Sequence, residues 1–143
     1  MQESLQNIMS KQVVSVTPTQ TVQEAAALMS EHNIGAIPVV ENGQIKGMIT
    51  DRDITLRSTA SGGNGQTPVS QCMTDHIVSA TPDMTADEAA QLMAQNQIRR
   101  LPIVQNNQVI GMVALGDLAV RNQYDQEAEQ ALTNISNPSH PQQ

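Results

Sequence analysis

Aromatic side chains are almost missing: the chain has one tyrosine and neither phenylalanine nor tryptophan. A nucleic-acid-binding surface draws affinity from basic grooves and stacks bases on aromatic rings. With 14 acidic against 7 basic residues and a formal charge of −7, this chain offers little of either, which argues against DNA or RNA as a partner. The acidic excess reads as ordinary solubility. Cys72 is the only cysteine, so an intrachain disulfide and a Cys-rich zinc site are both excluded. No run approaches the roughly 18 apolar residues of a membrane span, and Met1–Lys11 lacks the charged start and apolar stretch of a signal peptide. A reducing, cytoplasmic setting and no membrane partner are therefore expected.

Catalytic signatures are missing too. There is no Gly-x-Ser-x-Gly, His-Glu-x-x-His or Walker segment. His32, His76 and His140 show no ligand spacing and read as plain surface or loop histidines.

What is present is a repeat. An offset of 64 aligns residues 8–57 with 72–121 without a gap, and 20 of the 50 columns are identical. The match runs from Val14-Ser15 and Val78-Ser79 through Thr17-Pro18 and Thr81-Pro82 to Asp53 and Asp117. It places a first repeat at 4–60, a linker at 61–67, a second repeat at 68–124, and a C-terminal helical extension with a disordered polar tail at 125–143.

Within each copy the local signals follow one order. Val13–Val16 predicts a short strand stopped by Thr17-Pro18. Thr21-Val22-Gln23-Glu24 and Thr85-Ala86-Asp87-Glu88 are capping boxes. Behind the first, Val22, Ala25, Ala26 and Met29 lie on one helical face that ends near His32. Ile37–Val40 and Ile45–Ile49 flank Asn42-Gly43, which suits the positive φ angles of a tight hairpin; Asn106-Asn107 takes that place in the second copy. A second helix starts at Thr50-Asp51-Arg52-Asp53, and at Leu115-Gly116-Asp117. The fold expected is α/β (α+β): two pseudo-twofold-related β-α-β-β-α repeats, each a small three-stranded sheet with two helices packed on the other. At this length one compact body is expected, since separate cores would be cramped.

Two segments suggest ligand chemistry. Thr50 and Asp53 stand at a helix start, where a carboxylate can accept from both hydroxyls of a ribose and free N–H groups can hold an anion. The same spacing is itself a helix cap. In the second copy Ala114 replaces the hydroxyl while Asp117 remains, which tilts modestly toward ligand contact. Arg99-Arg100 aligns with Gly35-Ala36; guanidinium groups bind phosphate through paired hydrogen bonds, although solvated ions or salt bridges would serve the same pair. Gly35 and Ala36 are small enough for a flat base to approach the backbone. Without aromatics, any pocket must be aliphatic. The methionines read as core, with Met48 and Met112 able to line a base slot.

Together these residues resemble a pair of CBS domains, the tandem module also called a Bateman domain, from Ser4 to about Tyr124. The resemblance rests on the duplicated strand-Thr-Pro start, the Ile34 and Ile98 steps into Ile37-Pro38 and Leu101-Pro102, and the Gly47–Asp53 segment. It implies a non-enzymatic regulatory module, concerned with energy sensing, with two clefts. Family members bind AMP, ADP, ATP, S-adenosylmethionine, NAD or a cyclic dinucleotide such as cyclic di-AMP. By position, Asp53 and Asp117 would hold ribose hydroxyls, with Thr50 beside Asp53; Arg99, Arg100 and Lys11 would meet phosphate; and backbone at Gly35 and Ala36 would meet the adenine edge. No cofactor is required beyond an adenine nucleotide as regulatory ligand. A homodimer and an effector protein are implied as partners. Ala114, where Thr or Ser is usual, sets the Asp117 cleft apart. The other expectation for such a chain is a ligand-independent dimerisation or interaction scaffold.

Overall fold

The computed structural model describes residues 3–119. The helical extension expected through Ala128, Ala131, Leu132 and Ile135, and the tail beyond it, lie outside these residues.

The repeat is visible in the backbone. The first copy contains α1 (Val22–His32), β1 (Ala36–Glu41), β2 (Gln44–Thr50) and α2 (Asp51–Arg57). The second contains α3 (Ala86–Asn96), β3 (Arg100–Gln105) and β4 (Gln108–Ala114), and residues 115–119 are helical. Thr21 caps α1 and Thr85 caps α3, each in a reciprocal box with the glutamate three residues on. Both helices end in left-handed residues, Asn33 and Gln97, which turn the chain into the next strand. The hairpin turns take positive φ at Asn42 and Gly43, and at Asn106 and Asn107. Each hairpin shifts register at the matching place, between Val39 and Val40 and between Ile103 and Val104.

Strand alternation divides the two faces of each hairpin. Ile37, Val39 and Ile49 join Val22, Ala25 and Met29 of α1 in one buried cluster. Leu101, Ile103 and Val113 join Ala86, Ala89 and Met93 of α3 in another. The intervening positions, Ala36, Pro38, Met48 and Thr50 in one copy and Arg100, Pro102, Met112 and Ala114 in the other, take the opposite faces.

Three features differ from the sequence expectation. The first strand of each copy shrinks to one parallel bridge, Val16 to Val39 and Ala80 to Ile103, because the Thr-Pro that follows leads the chain away after a single ladder position. The hairpins also join at Gln44 and Gln108, giving a four-stranded order β1-β2-β4-β3. Finally, there are two core clusters, each completed by a segment that comes from outside its own run of elements. Leu5, fully buried, and Ile8 and Met9 pack on the second repeat, while Val69, Cys72 and Met73 pack on the first. Backbone pairs fasten these segments: Ser10 exchanges hydrogen bonds with Met112, at 2.8 and 2.9 Å, and Thr74 with Met48, at 2.8 and 2.9 Å. Borrowing residues in this way lets each small unit bury enough apolar surface to hold a core.

Candidate functional site

A cleft of about 200 Å³ opens between the repeats. Its apolar walls are Val14, Ile34, Ala36 and Pro38 from the first copy and Met112 from β4. Its polar lining is Ser10, Gln12, His32 and Arg100. Ser10 is placed by its pairing with Met112, Ala36 and Arg100 by the starts of β1 and β3, and His32 by the last position of α1. Among the described residues no carboxylate lines the cleft, although the chain carries twice as many acids as bases. The Nε of Arg100 is buried with no hydrogen-bond partner among the described residues, a costly state for a charged group's N–H. A larger surface depression, about 660 Å³, lies by the turn at Thr81–Asp83. Among the described residues its one charged lining side chain is Asp83, whose Oδ1 accepts from the Thr81 hydroxyl at 2.6 Å, so these residues offer an anion no cation.

Of the residues singled out by sequence, Ala36 and Arg100 line the cleft. Gly35 is adjacent, but the room left by its missing side chain is taken by Asp51, whose Oδ2 would lie 3.1 Å from a Cβ there; its carbonyl accepts the Asp51 N–H at 3.0 Å. Lys11 is exposed between the lining residues Ser10 and Gln12, and Arg99 is exposed beside Arg100. Thr50 sits across the ladder from Ala36. Its hydroxyl accepts the Asp53 N–H at 3.0 Å, and its own N–H donates to Asp53 Oδ2 at 3.0 Å, a complete capping box. In the second copy only half of that box exists: the Ala114 N–H donates to Asp117 Oδ2 at 3.4 Å. Thr50→Ala is therefore expected to cost about 1 kcal/mol, and Ala114→Thr to gain about 0.5–1 kcal/mol by completing the second box, read from denaturant midpoints.

Asp53 and Asp117 are repeat equivalents with different surroundings. β4, which supplies Met112, runs on through Ala114 into the helix that carries Asp117. Asp53 instead neighbours Cys72, and Arg57 donates to the carbonyls of Cys72 and Met73 at 3.5 and 3.3 Å. Burial pushes the Cys72 thiol up, the Asp53 carboxylate adds to the rise, and Arg57 partly offsets it. The protonated thiol is a poor nucleophile, so Cys72 is expected to resist thiol reagents at pH 8 in the folded protein and to react promptly in denaturant.

Sequence reasoning missed His32, Gln12 and Ser10 as cleft residues. For His32 the signal was its place at the end of an amphipathic helix, one residue before a left-handed turn. For Ser10 and Gln12 nothing local pointed to a cleft, because their position comes from pairing with the distant β4. Among the described residues there is no cluster of three metal-ligating side chains, and no helix is long and apolar enough to cross a membrane.

A sequence model of the CBS domain matches residues 5–58 and again residues 69–121. The chain belongs to the CBS domain family. A CBS domain-containing protein of Bacillus subtilis, YhcV, is 59% identical over 133 residues, covering 93% of this chain and 95% of its own length. The solved CBS domain NE2398 superposes with a TM-score of 0.78 at 25% identity, covering 85% of this chain and 98% of that one. The CBS domain pair of protein MJ0100, solved in complex with 5'-methylthioadenosine and S-adenosyl-L-methionine, superposes with a TM-score of 0.76 at 25% identity, covering 87% and 99%.

Proposed function

We propose that this CBS pair is a non-catalytic regulatory module that binds an adenine nucleotide or related adenosyl compound in the cleft between its repeats. The observation that carries the reading is Arg100: a guanidinium whose buried Nε has no hydrogen-bond partner among the described residues, set beside the aliphatic side chains of a cleft between the repeats. The adenine would lie on Val14, Ile34, Ala36 and Met112, and phosphate would give Arg100 the acceptors it lacks. Asp117, at the helix start reached from β4, is the carboxylate assigned to the ribose of this cleft, with Lys11 and Arg99 at its mouth. Thr50 and Asp53 are assigned to the pseudo-equivalent place in the other copy. At about 200 Å³ the cleft is below the roughly 300–1,000 Å³ of small-molecule sites, so binding would spread the repeats slightly and change the surface offered to an effector protein or a second copy.

Isothermal titration with AMP, ATP, S-adenosylmethionine and cyclic di-AMP tests this. Heat of binding with at least one of them, at a stoichiometry set by the cleft, is expected; no heat with any of them in folded protein defeats the reading. A second reading, a ligand-independent dimerisation scaffold, is favoured by the Thr50–Asp53 box, which occupies one of the two proposed ribose acids with its own backbone. Under that reading the protein self-associates or captures a partner without responding to any adenosyl compound.

A further inference from the structure

Resting on the proposed adenosyl site, we infer that the cleft selects the anionic members of that ligand class, with His32 as the residue that, beside Arg100, reads the phosphate. Among the described residues that line the cleft, the polar side chains divide by charge: Ser10 and Gln12 are neutral, and His32 and Arg100 are both bases. His32 comes from the last position of α1 and Arg100 from the first of β3, so each repeat contributes one nitrogen base to the lining of the cleft. The imidazole is 41% exposed, and its one neighbouring acid is Glu31, 3.9 Å away at Nε2. It offers an N–H to a ligand whether neutral or protonated. A phosphate entering this lining can accept from imidazole and guanidinium, whereas S-adenosylmethionine brings a sulfonium and an ammonium toward the same bases and only one carboxylate, on a longer arm, to offset them.

The repeat supplies a substitution that the fold tolerates. Position 32 corresponds to Asn96, the last residue of α3, so His32→Asn keeps a helix-ending residue already used in this architecture. Wild type and His32→Asn are titrated with AMP, adenosine, 5'-methylthioadenosine and S-adenosylmethionine. The wild type is expected to bind AMP at least tenfold tighter than the other three. In His32→Asn the AMP affinity is expected to fall about five- to tenfold while adenosine affinity is unchanged. Wild-type binding of S-adenosylmethionine or methylthioadenosine as tight as that of AMP overturns the inference and leaves the adenosyl site standing. An unchanged AMP-to-adenosine ratio in His32→Asn does the same. No binding of any of the four overturns the inference, and the absence of heat with ATP and cyclic di-AMP as well overturns the adenosyl site with it.

Discussion

Replacement of Arg100 by glutamine is expected to weaken binding of AMP about thirty- to a hundredfold while leaving the protein at least as stable as before. A charge-assisted hydrogen bond contributes about 2–3 kcal/mol when its partner is bound, and each 1.4 kcal/mol is tenfold in affinity. The unliganded protein pays the opposite way: Nε of Arg100 is buried without an acceptor, so glutamine removes an unsatisfied donor. A melting temperature that holds or rises, together with lost affinity, separates a binding residue from a structural one. A variant that binds AMP as tightly as wild type would remove Arg100 from the site. A variant that melts markedly lower would show that the guanidinium supports the fold.

Gly47→Ala is expected to be the most damaging substitution for the fold considered, costing about 1–3 kcal/mol and lowering the melting temperature by on the order of 5–10 °C. The strand position itself tolerates any residue; the constraint comes from across the sheet. A Cβ on Gly47 would lie 2.6 Å from the carbonyl oxygen of Thr74 and 3.1 Å from Sδ of Met73. The methionine can move aside, but the Thr74 carbonyl is held by its own pairing, since Met48 donates to it at 2.9 Å. Relieving the clash would lift the segment that brings Val69 and Cys72 into the first core. Gly111 has the same duty toward Ser10, whose carbonyl oxygen would stand 3.0 Å from a Cβ there. Gly116→Ala is the control: nothing stands within 4 Å of its Cβ position, and alanine favours the helix it sits in. Equal melting temperatures for Gly47→Ala and wild type would show that the crossing segment is held only loosely.

The stability of α2 illustrates how one pattern supports two chemistries. Thr50 and Asp53 close a capping box, and the spacing that makes the box is the spacing that would place a hydroxyl and a carboxylate at a ligand. Local sequence carries both meanings, and Ala114 could not separate them, because Asp117 still accepts from the Ala114 N–H without any hydroxyl. The cleft itself is lined from β4, which leads to Asp117, and from Ser10, which pairs with β4, and by none of Thr50, Asp53 and Asp117.

Taken by itself, the order of residues was enough for the duplication, the capped helices, the hairpins with left-handed turns and the class of fold. Each of these depends on interactions within a few positions: a threonine with a glutamate three residues on, an Asn-Gly pair at a turn, an apolar stripe on one helix. The exchange of segments between the two cores and the placing of His32, Gln12 and Arg100 in the lining of one cleft were decided by tertiary structure. They depend on contacts between residues distant in the chain, from Thr74 with Met48 to Ser10 with Met112, where the free energy of burying Leu5 and Val69 outweighs local preference and leaves no periodic trace in the segments that move.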